Sequence, residues 1–144
     1  MKSRIRRFPT VPDRLARGLL DTSVILDLDR LDAFRLPEEV AISTVTLAEL
    51  SAGPSATTDT SERARRQDRL QRTEATFDPM PFDIRSARAY GRIHAAVVDQ
   101  GRQPRRRFAD LLIVATALAE DLPLVTRNSK DFQGLDGLVT VVEI

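Results

Sequence analysis

Apolar residues in this chain fall into short, unbroken runs separated by longer stretches of helical period. Gly18-Leu19-Leu20 reads as a buried strand ending at Asp21. Val24, Leu28 and Leu31 then recur at helical spacing over Thr22 to Leu31. After the break at Pro37, the β-branched run Val40-Ala41-Ile42-Ser43-Thr44-Val45 predicts a second strand, with a helix following from Thr46. Gly53-Pro54 and the Ser/Thr-rich stretch to Thr60 read as a loop. Ser61 to Phe77 is densely charged with apolar positions at Ala64, Leu70 and Phe77, the pattern of an exposed amphipathic helix. A brief Met80–Phe82 strand is expected between prolines, then a helix from Asp83 to Gln100 stopped by Gly101. Arg102 to Arg107 forms a basic loop, Leu111 to Leu118 an almost wholly apolar helix, and Leu122–Thr126 and Leu138–Glu143 two further strands. Apolar strands alternating with helices predict an α/β fold whose parallel sheet is covered on both faces. In such sheets, sites form at the carboxyl ends of the strands.

The 144 residues, 42% of them hydrophobic, suffice for one compact domain with a core. The absence of cysteine excludes disulfides, thiolate metal sites and a cysteine nucleophile, and fits a reducing, cytoplasmic setting. No apolar run nears the roughly 18 residues of a membrane span, and the basic start lacks the apolar stretch of a secretory signal. The net charge of +1 conceals an asymmetry: residues 1–17 carry +5 and the remainder −4. Residues 1–17 therefore read as a basic N-terminal extension, either a phosphate-gripping arm or a solvated terminus around Pro9 and Pro12. Residues 18–144 form the domain proper.

Four acids lie where strands end or helices begin: Asp21, Glu49, Asp110 and Asp131. Each has an ordinary structural reading. Asp21 is a good helix N-cap. Thr46-Leu47-Ala48-Glu49 matches a capping box. Asp110 sits in a first turn favoured by the helix dipole. Asp131 and Asn128 are common turn formers. Together, acids from four distant segments gathered at one sheet end would repel one another and call for a divalent cation. Carboxylate oxygens suit hard cations such as Mg²⁺ or Mn²⁺.

Taken in order, LLDTSVILDL, STVTLAEL and ADLLIVATALAEDLPLVTRNSKDF resemble the PIN-domain ribonucleases, most of all the VapC-type toxins of VapBC toxin–antitoxin pairs. The third motif is the most specific, and the likeness spans residues 18–144. The resemblance implies a three-layer α/β/α sandwich with a central, mostly parallel sheet of about five strands. It also implies Mg²⁺- or Mn²⁺-dependent cleavage of tRNA or rRNA, a homodimer, and a cognate VapB-like antitoxin. Carried over by motif, Asp21, Glu49 and Asp110 match the family's first three acids, and Asp131, with Asn128 nearby, the fourth. Thr22, Ser23 and Thr46 are candidates to orient those carboxylates. Arg105, Arg106, Arg107 and Arg127 are candidates to grip RNA phosphates. The basic arm exceeds the family's usual pattern, in which the first motif lies nearer the start.

Other chemistries fit poorly. A haloacid-dehalogenase phosphatase needs a second acid where Ser23 stands, and a phosphorelay receiver needs adjacent early acids. A Ser/His/Asp hydrolase would have to use His94, the single histidine, expected mid-helix and partly buried. With six Phe and one Tyr, a stacking platform of the RRM kind is not expected. The remaining alternative is a catalytically inactive PIN-like module that binds RNA or protein.

Overall fold

The computed structural model describes residues 4–7 and 14–144. Lys2, Pro9, Pro12 and Asp13 of the basic extension lie outside them. Five strands form one sheet: β1 (Arg6–Arg7), β2 (Arg17–Leu20), β3 (Glu39–Ala41), β4 (Leu124–Thr126) and β5 (Val141–Glu143). Their spatial order is β1-β3-β2-β4-β5, parallel throughout except for the β1–β3 pair. Among the described residues five α-helices accompany it: α1 (Thr22–Leu26), α2 (Thr44–Ala52), α3 (Thr60–Thr76), α4 (Ile84–Asp99) and α5 (Phe108–Ala119).

The central strands are short and apolar because both faces are covered. Alternate side chains enter opposite cores: Leu19, Ala41 and Leu124 pack with α4 and α5 residues such as Ile93, Val97 and Ile113. Leu20, Val40 and Val125 pack with Val24, Ile25, Leu50 and Phe77 on the other side. This is the three-layer α/β/α sandwich. Gly18 has no room for a side chain: a Cβ there would come within 2.7 Å of Val125 and 2.9 Å of Pro37.

Several element boundaries differ from the sequence pattern. Residues 22–31 do not make one helix: α1 ends at Leu26, and a 3-10 turn, Leu28–Arg30, follows. The second strand stops at Ala41 because Ser43 caps α2, its Oγ accepting from the Thr46 amide at 3.1 Å. Met80 makes only a single parallel bridge, to Ser43. The last strand begins at Val141, since the Leu138 and Val139 amides turn back onto the Leu135 carbonyl. Gly101 does terminate α4: at φ +72° it lets the Arg102 amide reach the Val97 carbonyl at 3.1 Å.

The N-terminal basic residues are partly engaged with the body. Arg6–Arg7 is the antiparallel edge strand, and Arg7 and Arg17 both lie against Glu39 (3.2 and 3.4 Å). Arg14 donates to the carbonyls of Ala33 and Leu36.

Candidate active site

Asp21 is placed by β2. Its amide donates to the Val125 carbonyl at 2.8 Å, and its side chain, only 5% exposed, sits directly past the strand's end. Its structural and chemical readings coexist on separate oxygens. Oδ1 accepts from the Thr22 amide at 2.9 Å, which caps α1. Oδ2 accepts from Ser23 Oγ at 2.8 Å and Thr126 Oγ1 at 2.9 Å. A buried carboxylate so satisfied keeps one orientation. Thr126 was not among the residues singled out in the sequence. Its signal is register: Leu20 pairs with Val125, so the next residue of β4 lies beside Asp21. Thr126→Val keeps the shape and removes the donor. About 1–2 kcal/mol is expected to be lost in urea unfolding.

Glu49 is not part of a capping box. Ser43, not Thr46, is the N-cap of α2, which moves Thr46 into the first turn with its side chain fully buried. Glu49 is therefore free of the backbone and turns toward α1: Thr22 Oγ1 donates to Glu49 Oε1 at 2.7 Å and lies 3.0 Å from Thr46 Oγ1. Thr22, the residue following the first acid, thus holds the second, and Thr46 braces Thr22.

Asp110 lies in the first turn of α5. Its carboxyl is pushed up to about 6, first by burial, then by the charges of Asp21 and Glu49, with Asp131 adding to them and Arg107 opposing. All four acids thus share one electrostatic neighbourhood. Asp131 rides on the 3-10 turn Ser129–Phe132, its side chain 19% exposed. Arg107 spans the two: its Nη1 lies 2.7 Å from Asp131 Oδ2 and 3.6 Å from Asp110 Oδ2. Asn128 is exposed just before that turn, its amide donating to Thr126 Oγ1 at 3.1 Å.

The side chains as they stand do not close on one point. Among the described residues, no three His, Asp or Glu side chains converge enough to hold an ion. Their present partners are the hydroxyls of Thr22, Ser23 and Thr126 and the guanidinium of Arg107. In chemistry, the donor set still fits a hard divalent cation: it is all carboxylate and hydroxyl oxygen, with repulsion enough to lift Asp110.

The other candidates separate. Arg105 and Arg106 are exposed on the 3-10 turn Pro104–Arg107. Arg127 is half-buried and already engaged, its Nε 3.2 Å from Asp27 Oδ2 and its Nη1 on the Ile144 carbonyl. His94 is exposed rather than partly buried, because it lies one position from the buried Ile93. Tyr90 has its ring centroid 5.9 Å from those of both His94 and Phe108, and Phe108 is 53% exposed. The sequence count of aromatics gave no hint of this cluster.

A family model described as the PIN domain matches residues 18–138. The chain belongs to the PIN domain family. Among PIN relatives, it is 38% identical over 129 residues to Ribonuclease VapC5 of Mycobacterium tuberculosis, covering 88% of this chain and 93% of the relative. It is 29% identical over 126 residues to Ribonuclease VapC of Rickettsia bellii, covering 83% and 91%. The solved VapBC-5 toxin–antitoxin structure from Mycobacterium tuberculosis superposes with a TM-score of 0.78 at 36% identity, covering 90% of this chain and 99% of that one. Among the described residues of this PIN domain, no helix is long and apolar enough to cross a membrane.

Proposed function

We propose that this PIN domain is a divalent-metal-dependent endoribonuclease, the toxin of a type II toxin–antitoxin pair, acting on tRNA or rRNA. The observation that carries the reading is the electrostatic coupling at Asp110, whose carboxyl is raised first by burial and then by Asp21, Glu49 and Asp131, as a structural first-turn acid would not need to be. The names of the relatives, ribonucleases VapC and a VapBC complex, support the activity class and an antitoxin partner.

Asp21, Asp110 and Asp131 are the residues to hold the metal, Mg²⁺ or Mn²⁺, with Glu49 beside them. When bound, such an ion polarises the scissile phosphate and brings the pKa of a coordinated water near neutrality. The chain supplies the rest. Ser23, Thr126 and the Thr22 amide fix Asp21; Thr22 holds Glu49 where it can orient the attacking water. Arg105 and Arg106 are exposed to fork onto backbone phosphates. Arg107 already lies between two of the acids, and an antitoxin's basic side chain placed there would silence the site in the same way. A homodimer and a cytoplasmic setting complete the reading.

The rival reading, an inactive module that binds RNA or protein, draws on the lack of three converging acids among the described residues. Metal removal separates them. EDTA is expected to abolish cleavage of total RNA by the purified chain, and added Mn²⁺ or Mg²⁺ to restore it. RNA binding with no cleavage at any metal concentration would establish the module instead.

A further inference from the structure

A cavity of about 410 Å³ opens beside the acids, sharing Asp131 and Arg107 with them. That volume is within the range of about 300–1,000 Å³ typical of small-ligand pockets. Its chemistry is sorted by depth. Val97, Leu111 and Leu135, all buried, give an apolar floor. Arg102, Arg106 and Lys130, all exposed, give a cationic rim. Two amides, Gln103 and Gln133, complete the wall.

Gln133 has a defined orientation. Arg102 Nη2 donates to Gln133 Oε1 at 2.6 Å. A guanidinium cannot accept, so it fixes which end of the amide is the oxygen. The Gln133 NH₂ group is then the end left to donate. The backbone fixes the position as well: Gly134 follows at φ +81°, and a Cβ there would overlap the Gln100 side chain at 1.8 Å. On the other side of Gln133, Phe132 is buried in the core.

We propose that this cavity receives one unpaired nucleobase of the RNA strand next to the scissile phosphate, and that Gln133 selects a base bearing an exocyclic carbonyl oxygen. This inference rests on the ribonuclease reading above. Single-stranded RNA is read through splayed bases hydrogen-bonded at their edges. The apolar floor takes the ring, the rim takes the flanking phosphates, and the Gln133 NH₂ donates to the carbonyl of uracil, cytosine or guanine. Adenine presents an amino donor where those bases carry the oxygen, so that edge meets the Gln133 NH₂ donor to donor, and only its ring nitrogens can accept.

Binding without metal tests this apart from catalysis. Fluorescein-labelled hexauridylate and hexaadenylate are titrated against the full chain in EDTA and followed by anisotropy. Hexauridylate is expected to bind about three- to tenfold more tightly. Gln133→Leu, at an exposed position, is expected to equalise the two while keeping the salt dependence set by the cationic rim. Circular dichroism melts confirm that the variant is folded. The proposal is overturned by equal affinities in the parent chain, by a preference that survives Gln133→Leu, or by uridine monophosphate binding as tightly as the hexamer, which would make the pocket one for free nucleotides. An absence of cleavage with metal, alongside an intact Gln133-dependent preference, overturns the ribonuclease reading and leaves the base pocket standing.

Discussion

Asp110→Asn is expected to cut RNA at least about a hundredfold more slowly than the parent chain while being the more stable protein at neutral pH. The two effects share one cause. The Asp110 carboxyl is pushed up to about 6 in the folded protein, from 3.8 for a free aspartate side chain, because burial and the charges of Asp21 and Glu49 oppose ionisation. A native pKa above the unfolded one means that the folded state binds the extra proton between those values. The stability this carboxyl contributes is therefore fully present below about pH 4 and lost as pH rises through about 6. An amide at the same place carries no charge to suppress. In metal-free urea unfolding at pH 7.5, the variant should gain about 1–2 kcal/mol after allowance for solvent screening of a half-buried group. At pH 4 the gain should nearly vanish. Little is lost with the partner, since Arg107 keeps its shorter contact, at 2.7 Å, with Asp131. Equal stability of the two proteins at both pH values would mean that the acids do not press on one another, and would remove the physical case for a cation.

The same coupling explains which parts of the site were legible in the sequence. The strand ends were readable because apolar runs buried on both faces leave a period-free signature, and Asp21 stands where one stops. The role of Glu49 was obscured by a local rule. Thr46 and Glu49 have capping-box spacing, but Ser43 has the stronger claim to the cap because Ile42 remains in register with Met80, its carbonyl accepting from the Met80 amide at 2.8 Å. That pairing ends the extended backbone one residue before the helix begins, and tertiary contact decides the cap. Thr126 and Arg107 were hidden for different reasons. Thr126 becomes a partner of Asp21 only through strand pairing between β2 and β4, 105 residues apart in sequence. Arg107 reads as one of three equivalent loop cations; the 3-10 turn runs directly into α5 and sets it, still exposed, against Asp110 and Asp131. Periodicity reports burial well; it carries no information on which residue of a charged run the turn will set against a carboxylate.

Phe132→Ala is expected to have the largest effect on stability, a loss of about 3–5 kcal/mol in urea unfolding. That is a substantial share of the roughly 5–15 kcal/mol that a domain of this kind possesses. Phe132 is 1% exposed and packs in the core on the α4–α5 side of the sheet with Leu135 and Val139. It is also the last residue of the short turn that carries Asp131, and Gln133 follows it. The ring therefore anchors both the turn that carries the Asp131 carboxylate and a wall of the adjoining cavity. With the ring removed, the turn has no other buried side chain to hold it down. Cleavage is then expected to fall further than the drop in folded fraction alone accounts for. Asp131→Asn provides the contrast: it should impair cleavage with the midpoint of unfolding nearly unchanged, because the residue is a partly exposed turn acid whose ion pair with Arg107 is also partly exposed. If Phe132→Ala lowered stability but left the activity of the folded fraction intact, Asp131 would owe its position to Arg107 rather than to the core beneath it.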